Sequence, residues 1–431
     1  MRLIVHRGTK EIGGSCVELA TTECRILIDF GMPLVNANRE PFDFKVLAGK
    51  SPEQLKRLGV LPDIKGLYRD EEKSLDVILI SHSHMDHYGL LGYVHPEIPI
   101  YASEGAKILM EASNIFTPCK VGNINTRVLD KRQKLEIGNV TVIPYLVDHS
   151  AFDALAFRIE ADGRKMFYSG DFRGHGRKST LFKSIVAHPP KDIDCLLLEG
   201  SMIGRGKQVF KDETAVESRI EKILRSNDNI KFLFASAQNI DRIVSAYRAC
   251  LKTGHIFVID IYTAYILDSV KKVSKKIPQF NWRNIRVKFL KSHADTLATK
   301  VSKELLYRYN TRKIEMEEIN EKKSRVLMLA RDNSIFPAIV KSIKDINGAR
   351  IIYSMWEGYL TEEFKNWIAQ KGLEIESVHT SGHATLRDLK AFANALKPRI
   401  LIPIHTFEPG QYPALFRNVR VMKDGEALDL G

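Results

Sequence analysis

A cluster of histidines directly after a short apolar segment constrains this chain more than any other feature. Residues 75–80 predict a buried strand, and His82, His84, Asp86 and His87 follow it within a few residues. Only 13 histidines occur in 431 residues, so three within six positions do not resemble an ordinary polar loop. Imidazole and carboxylate groups suit zinc, and a cluster this polar needs a partner if it is buried. The sequence therefore predicts a metal site at the end of this strand.

Length and composition indicate a folded protein of two domains. A chain of 431 residues exceeds the usual size of one domain, and its hydrophobic content of 44% is typical of globular proteins. No apolar segment is long enough to cross a membrane, and the first residues do not form a signal peptide. The five scattered cysteines predict reduced thiols and a cytoplasmic location. None has zinc-finger spacing, so we expect histidine and carboxylate ligands.

The charge of the chain favours a polyanionic partner. Lys and Arg outnumber Asp and Glu by 65 to 52, which gives a net charge of +13. A basic protein attracts nucleic acid, although simple solubility is the alternative explanation. One basic stretch, residues 271–291, also contains Phe280 and Trp282. Cations alternating with aromatic rings suit a single strand, whereas the outer face of a helix and an edge strand is the other interpretation.

Polar residues follow several other predicted strands. The strand at 25–28 ends at Asp29, and later strands end near His149, Asp171 and Glu199. An α/β scaffold places ligands in loops at the ends of its strands, so these residues are candidates for one site. Asp29 has two open interpretations: it holds a ligand histidine in its tautomer, or it caps the following turn.

The second half of the chain predicts an inserted domain. From about residue 206, strands alternate with helices, which predicts a mostly parallel sheet. A strand at 373–378 then leads to Ser381, Gly382 and His383, and a buried strand at 399–404 ends at His405. Strands followed by histidine thus occur again after the inserted segment. This predicts a first domain at 1–205, a second at 206–372, and completion of the first at 373–431.

The ordered motifs resemble the β-CASP branch of the metallo-β-lactamase-fold nucleases, and within it the RNase J-like ribonucleases. Asp29, His82-x-His84-x-Asp86-His87, His149, Asp171, Glu199, His383 and His405 occur in the order of that family. The resemblance covers nearly the whole chain and implies an α/β fold. That fold is a metallo-β-lactamase αββα sandwich interrupted by an inserted β-CASP domain with a parallel sheet. We expect no counterpart of the additional C-terminal domain of RNase J, and we expect residues 32–73 to form an insertion of unknown role.

The same resemblance implies a pair of zinc ions, with Mn²⁺ or Mg²⁺ as substitutes. His82, His84 and His149 would hold the first ion. Asp86, His87 and His405 would hold the second, with Asp171 between them. Two such cations can share a hydroxide and stabilise charge on a phosphate.

Catalytic roles are expected for Asp86, His383 and Glu199. His383 would donate a proton to the leaving group or bind the phosphate, and its alternative role is a capping residue. Glu199 would orient His383 or a metal ligand, or would be an ordinary loop carboxylate. Ser236, Ser381, Gly382 and His383 are candidate contacts to the phosphate.

The expected function is a zinc-dependent ribonuclease that hydrolyses phosphodiester bonds of single-stranded RNA, in exonuclease or endonuclease mode, by a metal-bridged hydroxide. The alternatives are a DNA nuclease of the same family and a small-molecule hydrolase of lactonase or thioesterase type. The expected partner is RNA, or single-stranded DNA, with no membrane; a homodimer is a further expectation.

Overall fold

The chain divides into two compact units. The computed structural model describes residues 1–36, 38–117, 121–122, 124–206, 209–226 and 229–431. One unit contains both ends of the chain, residues 1–206 and 382–431, and the other comprises residues 207–381.

The first part of the terminal unit alternates short strands with a few helices. Its strands are β1 (Arg2–Arg7), β2 (Cys16–Ala20), β3 (Arg25–Ile28), β4 (Val77–Leu79), β5 (Ile100–Ala102), β6 (Thr126–Val128), β7 (Leu135–Ile137), β8 (Val140–Leu146), β9 (Leu155–Ala161), β10 (Arg164–Tyr168) and β11 (Cys195–Glu199). Its helices are α1 (Pro52–Arg57), α2 (Met85–Tyr88), α3 (Glu104–Phe116) and α4 (Ser179–Ala187).

The second unit alternates strands and helices, as its sequence predicts. Its helices are α5 (Glu213–Arg225), α6 (Ile240–Thr253), α7 (Ile261–Val270), α8 (Lys291–Lys300), α9 (Lys303–Asn310), α10 (Met316–Glu321), α11 (Phe336–Ser342) and α12 (Glu362–Gln370). Its strands are β12 (Lys231–Phe234), β13 (Ile256–Asp260), β14 (Ile285–Lys288), β15 (Val326–Ala330), β16 (Arg350–Tyr353) and β17 (Glu374–Ser377). The chain then returns to the terminal unit with α13 (Leu386–Leu396), β18 (Ile400–Ile404), α14 (Tyr412–Leu415) and β19 (Ala427–Asp429).

The terminal unit is a four-layer sandwich. One sheet has the order β19-β1-β2-β3-β4-β5-β6, and the other has the order β18-β11-β10-β9-β8-β7. Buried residues from both sheets, such as Val17 and Phe157, form one core between them. A second cluster joins the first sheet to α3, and a third joins the other sheet to α13. This confirms the predicted αββα architecture.

The second unit is built on a sheet with the order β14-β13-β15-β12-β16-β17, in which the pairs are parallel. The predicted inserted parallel-sheet domain is therefore confirmed as a fold. One boundary differs from the prediction. The strand predicted at 373–378 was assigned to the completed first domain, but β17 hydrogen-bonds along β16 and so belongs to the second sheet. The return to the terminal unit lies at 381–382 instead of 372–373.

Local sequence explains the elements that carry the candidate site. Thr385 and Asp388 form the predicted capping box at the start of α13, which fixes the helix just after His383. Strands β10, β11 and β18 are parallel neighbours, so their carboxyl ends lie at one edge of the sheet. Asp171, Glu199 and His405 lie at that edge because each ends or follows one of these strands.

Both aromatic rings of the basic stretch at 271–291 pack against other rings of the same unit. The Phe280 ring is 5% exposed and packs on Tyr309, with ring centroids 4.8 Å apart. Arg286 pairs with Glu318 at 2.9 Å. Phe280 is therefore not available for stacking on a base, whereas the lysines at 271, 272, 275 and 276 are exposed. A role of these cations in binding nucleic acid stays a prediction.

Two global expectations can be compared with the described residues. No helix in these ranges combines the length and apolarity needed to span a bilayer. Cys16, Cys24, Cys195 and Cys250 are buried free thiols, and Cys119 lies outside the described residues.

Candidate metal centre

The histidines that follow β4 converge with His149, which follows β8. Potential ligand atoms of His82, His84 and His149 all lie within 4.8 Å of one another. His149 Nε2 is 3.2 Å from His84 Nδ1. Two nitrogen ligands of a tetrahedral zinc ion, each at about 2.0–2.1 Å, stand roughly 3.4 Å apart. The spacing of these imidazoles therefore fits a shared cation.

A second group forms beside the first from Asp86, His87 and His405. Their potential ligand atoms also lie within 4.8 Å of one another. His405 Nε2 is 3.6 Å from Asp86 Oδ2, and His87 Nε2 is 3.9 Å from the same oxygen. His405, the last of the predicted ligands, is thus brought to the motif after β4 from more than 300 positions away.

Asp171 lies between the two groups. Its Oδ2 atom is 3.6 Å from His82 Nε2, 3.2 Å from His87 Nε2 and 3.5 Å from His405 Nε2. One carboxylate oxygen therefore faces histidines from both groups, as the predicted shared ligand requires.

The chemistry of these donors fits a metal. Within the described part of the chain, the buried Nε2 atoms of His82, His87 and His405 and both oxygens of Asp171 make no hydrogen bond. Buried polar atoms without partners are costly unless an ion or water satisfies them. Nitrogen and carboxylate donors at these spacings are the set that divalent zinc prefers. The structure thus supports metal binding by this cluster.

Asp29 fixes the orientation of His87. Its carboxylate lies 2.8 Å from His87 Nδ1 and accepts hydrogen bonds from the Ser81 amide and from the hydroxyls of Ser81 and Tyr168, each at 2.7 Å. A proton on Nδ1 leaves the Nε2 lone pair directed at the cluster. Asp29 adopts a left-handed φ of 58°, which Asp tolerates. Of its two predicted roles, the structure favours the one that holds a ligand histidine.

Contacts at Nδ1 also fix the rings of His149 and His405. The Gly382 carbonyl oxygen lies 2.6 Å from His149 Nδ1 and accepts its proton, so His149 is held in the same tautomer as His87. His405 differs, because the Gly13 amide donates to its Nδ1 at 3.3 Å, and Ser15 Oγ lies 3.0 Å from the same atom. These contacts fix the position of the His405 ring, with Nε2 facing the other ligands.

Glu199 forms hydrogen bonds with the loops that follow β10 and β11 and with the segment that precedes α13. Its side chain is fully buried, and it accepts hydrogen bonds from the amides of Phe172 (3.4 Å), Ala384 (3.1 Å) and Ser201 (3.1 Å). Its Oε2 atom is 3.4 Å from His383 Nδ1. The prediction that Glu199 orients His383 is consistent with this geometry.

His383 adjoins the cluster and is more exposed than its neighbours. Its side chain is 21% exposed, whereas Asp171 is 1% exposed, and its Nδ1 is 3.6 Å from Asp171 Oδ2. Asp171, His383 and His405 also form a group with metal-ligand spacing. His383 can therefore either act on a bound substrate or complete a ligand set, and its role stays a prediction.

Burial and mutual charge control the protonation of the cluster. Burial lowers the pKa of His82 and His149, and it lowers the pKa of His84 to about 4. Burial also opposes protonation of His87, but Asp171 and Asp29 raise its pKa above the usual value. Burial raises the pKa of Asp171, but His405 and His87 lower it more, so that the pKa lies well below the usual range. Most of these histidines are thus neutral at pH 7, the form that binds a cation.

Two of the candidate phosphate contacts belong to the second unit. Ser236 follows β12, is exposed, and its hydroxyl accepts a hydrogen bond from the Gln238 amide. Ser381 is the last residue of that unit. Gly382 belongs to the terminal unit, and its carbonyl has the partner already described. Phosphate binding by these residues remains a prediction.

Sequence reasoning missed Ser81, Tyr168 and Ser15, which contact Asp29 or His405. Ser81 had a local signal because it directly precedes the histidine motif. Tyr168 reaches Asp29 across 139 positions and Ser15 reaches His405 across 390, so nothing in the local pattern indicated them.

Comparisons with family models match two parts of the chain. Residues 59–218 match a "Beta-lactamase superfamily domain", and residues 369–409 match a "Zn-dependent metallo-hydrolase RNA specificity domain". The first range contains the candidate site residues from His82 to Glu199, and the second contains His383 and His405.

Characterised relatives are distant. Ribonuclease J of Helicobacter pylori is 21% identical over 455 aligned residues, which cover 98% of this chain and 60% of that protein. An RNase J-like protein of Methanocaldococcus jannaschii is 25% identical over 66% of this chain and 62% of its own length. Ribonuclease J of Mycoplasma genitalium is 23% identical over 94% of this chain and 67% of that protein. The chain thus spans about 60% of the length of the first relatives.

A crystal structure of a protein of unknown function from Enterococcus faecalis V583 has the same fold. It superposes with a TM-score of 0.78 at 20% identity and covers 99% of both chains. This similarity supports the architecture alone.

Proposed function

We propose that this chain, a member of the β-CASP branch of the metallo-β-lactamase superfamily, is a metal-dependent nuclease that hydrolyses phosphodiester bonds of RNA. The observation that carries the proposal is the position of Asp171 Oδ2, within 3.6 Å of ligand nitrogens from both histidine groups. Cations bound by these two neighbouring groups would suit a phosphodiester, because they would neutralise charge on the same phosphate.

The proposed ligand sets are those implied by the motifs. His82, His84 and His149 would hold one zinc ion, and Asp86, His87 and His405 the other, with Asp171 shared. The bound ions would supply a water nucleophile at neutral pH and positive charge against the phosphate. Mn²⁺ or Mg²⁺ are candidate substitutes.

The protein side chains supply orientation and a proton. Asp86, a member of the second group, would orient the attacking water. His383, partly exposed and 3.4 Å from Glu199 Oε2, would protonate the leaving oxygen. Glu199 would hold His383 in position, and its hydrogen bonds from the amides of Phe172 and Ala384 connect that segment to the loop that carries Asp171.

RNA as substrate is supported by the match of residues 369–409 to an RNA specificity domain and by the similarity to ribonucleases J. Single-stranded RNA, a cytoplasmic location and a homodimer are parts of the same proposal. Both exonuclease and endonuclease modes are consistent with it.

The test uses RNA and DNA oligonucleotides of the same sequence, labelled at the 5′ or the 3′ end, with and without a chelator. The expected result is cleavage of RNA that the chelator abolishes, with product ladders that distinguish exonuclease from endonuclease action. His84→Ala should abolish cleavage, whereas His188→Ala, at an exposed histidine after α4, should not.

Three outcomes would contradict the proposal. Cleavage that persists in chelator or in His84→Ala would exclude the metal mechanism. Preferential cleavage of DNA would support the related DNA nuclease. Turnover of lactones or thioesters without cleavage of either nucleic acid would support a small-molecule hydrolase.

A further inference from the structure

The loop Asp171–Gly176 contains two further polar side chains, Arg173 and His175, that the proposed mechanism does not use. Arg173 is fully buried, although Arg is rarely buried without a charged partner. The loop begins with the proposed shared ligand, so any contact made by its other residues also affects Asp171.

Arg173 connects this loop to the loop that carries His149. Its backbone amide donates to the Asp148 carbonyl oxygen at 2.7 Å, and its Nε donates to Asp148 Oδ1 at 3.3 Å. Asp148 is itself fully buried and directly precedes His149. Main chain and side chain of Arg173 thus hold the residue next to a proposed ligand.

The backbone of Gly176 packs directly against the ion pair of Arg173 and Asp148. A methyl group at residue 176 would overlap both Asp148 Oδ1 and Arg173 Nε. The φ angle of Gly176 is outside the left-handed region, so close approach, and not backbone strain, explains glycine at this position.

His175 connects the same loop to the segment that carries His383. Its Nδ1 lies 3.6 Å from Asp388 Oδ2, and Asp388 belongs to the capping box of α13. That helix begins three residues after His383. The loop therefore contacts the supports of two histidines at the centre, His149 and His383.

We propose that Asp171–Gly176 is a positioning loop, in which Arg173 sets the place of His149 and Asp171 relative to each other and so determines the affinity for metal. His175 has the corresponding role for His383. Neither residue touches the substrate or the cation. The inference rests on the proposed metal centre, but it does not depend on RNA being the substrate.

The test measures zinc affinity by competition with a chromophoric chelator, and thermal stability of the metal-free protein in parallel. Arg173→Lys keeps the charge but loses the fork of donors. Arg25→Lys is the control. Arg25 forms an ion pair at 2.9 Å with Glu18, which is nearly buried in the same unit, and Glu18 is not a proposed ligand. Gly176→Ala is compared with Gly410→Ala, since no atom lies within 4 Å of a methyl group at residue 410.

The expected result is a loss of zinc affinity of about 10- to 100-fold in Arg173→Lys and Gly176→Ala, typical for residues that orient ligands. Both controls should bind zinc like the wild type. A purely structural role would lower the melting temperature of Arg173→Lys and leave its zinc affinity unchanged, which would overturn the inference. Failure of the wild type to cleave RNA while these zinc affinities differ would refute the proposed nuclease but not the positioning loop.

Discussion

Replacing Asp29 by Asn should weaken metal binding through His87. The substitution preserves shape, and Asn tolerates the left-handed φ of 58° found here. Asp29 Oδ2 faces His87 Nδ1 at 2.8 Å and the hydroxyls of Ser81 and Tyr168. With the remaining oxygen kept on the Ser81 amide, the new NH₂ group points at His87 Nδ1.

The consequence is a change of tautomer. His87 Nδ1 then has to accept a hydrogen bond, which moves its proton to Nε2 and blocks the atom that faces Asp171 and Asp86. Loss of a hydrogen bond to a charged group costs about 1.5–3 kcal/mol. Since about 1.4 kcal/mol is tenfold, zinc affinity of the second group should fall roughly 10- to 100-fold.

The assay is a competition titration of metal-free protein with zinc at neutral pH. Asp192→Asn is the control, because Asp192 also has a left-handed φ, of 59°, and its side chain is 79% exposed. We expect one weakened zinc site in Asp29→Asn and unchanged binding in Asp192→Asn. Wild-type affinity at both sites in Asp29→Asn would refute the proposed orientation of His87.

Three further predictions concern other parts of the chain. His383→Ala should retain zinc by elemental analysis but lose turnover, and loss of zinc would show that His383 is a ligand. Gly382→Ala should lower zinc affinity, because the methyl group would overlap Ser150 Oγ and displace the carbonyl that orients His149; unchanged affinity would contradict that role. Asp260→Asn should lower the free energy of unfolding by about 2 kcal/mol at neutral pH in urea titrations, with the difference from wild type shrinking as pH falls from about 4 towards 2.

The sign of the last prediction follows from the environment of Asp260. Burial alone raises its pKa, but Arg331 and His293 lower it from 3.8 to about 2. A carboxyl whose pKa is lower in the folded state stabilises the fold above its unfolded pKa, and this stabilisation disappears as the folded pKa is passed. A difference between wild type and Asp260→Asn that grew with acidity would contradict this reasoning.

The sequence alone was informative where the candidate site residues directly follow a strand or precede a helix. The apolar segment before His82, the capping box of Thr385 and Asp388, and His405 after a buried strand were all predictable from local pattern, and the structure has each of them. These features are encoded by neighbouring residues, so a single sequence is sufficient to find them.

Contacts between distant segments were not predictable in the same way. Strand β17 was assigned to the wrong sheet because its apolar pattern does not specify its partner, which is β16. The contact of the Gly382 carbonyl oxygen with His149 Nδ1 joins residues 233 positions apart, while phosphate binding by Gly382 remains a prediction. The support of His405 by Ser15 depends on residues 390 positions apart, which only the folded chain brings together.

The central claim is that two cations bind on either side of Asp171. Anomalous diffraction at the zinc absorption edge, from crystals grown with zinc, tests it most directly. The account predicts two peaks, one among His82, His84 and His149 and one among Asp86, His87 and His405. A single peak, or a peak enclosed by Asp171, His383 and His405 with His87 left without metal, would contradict it.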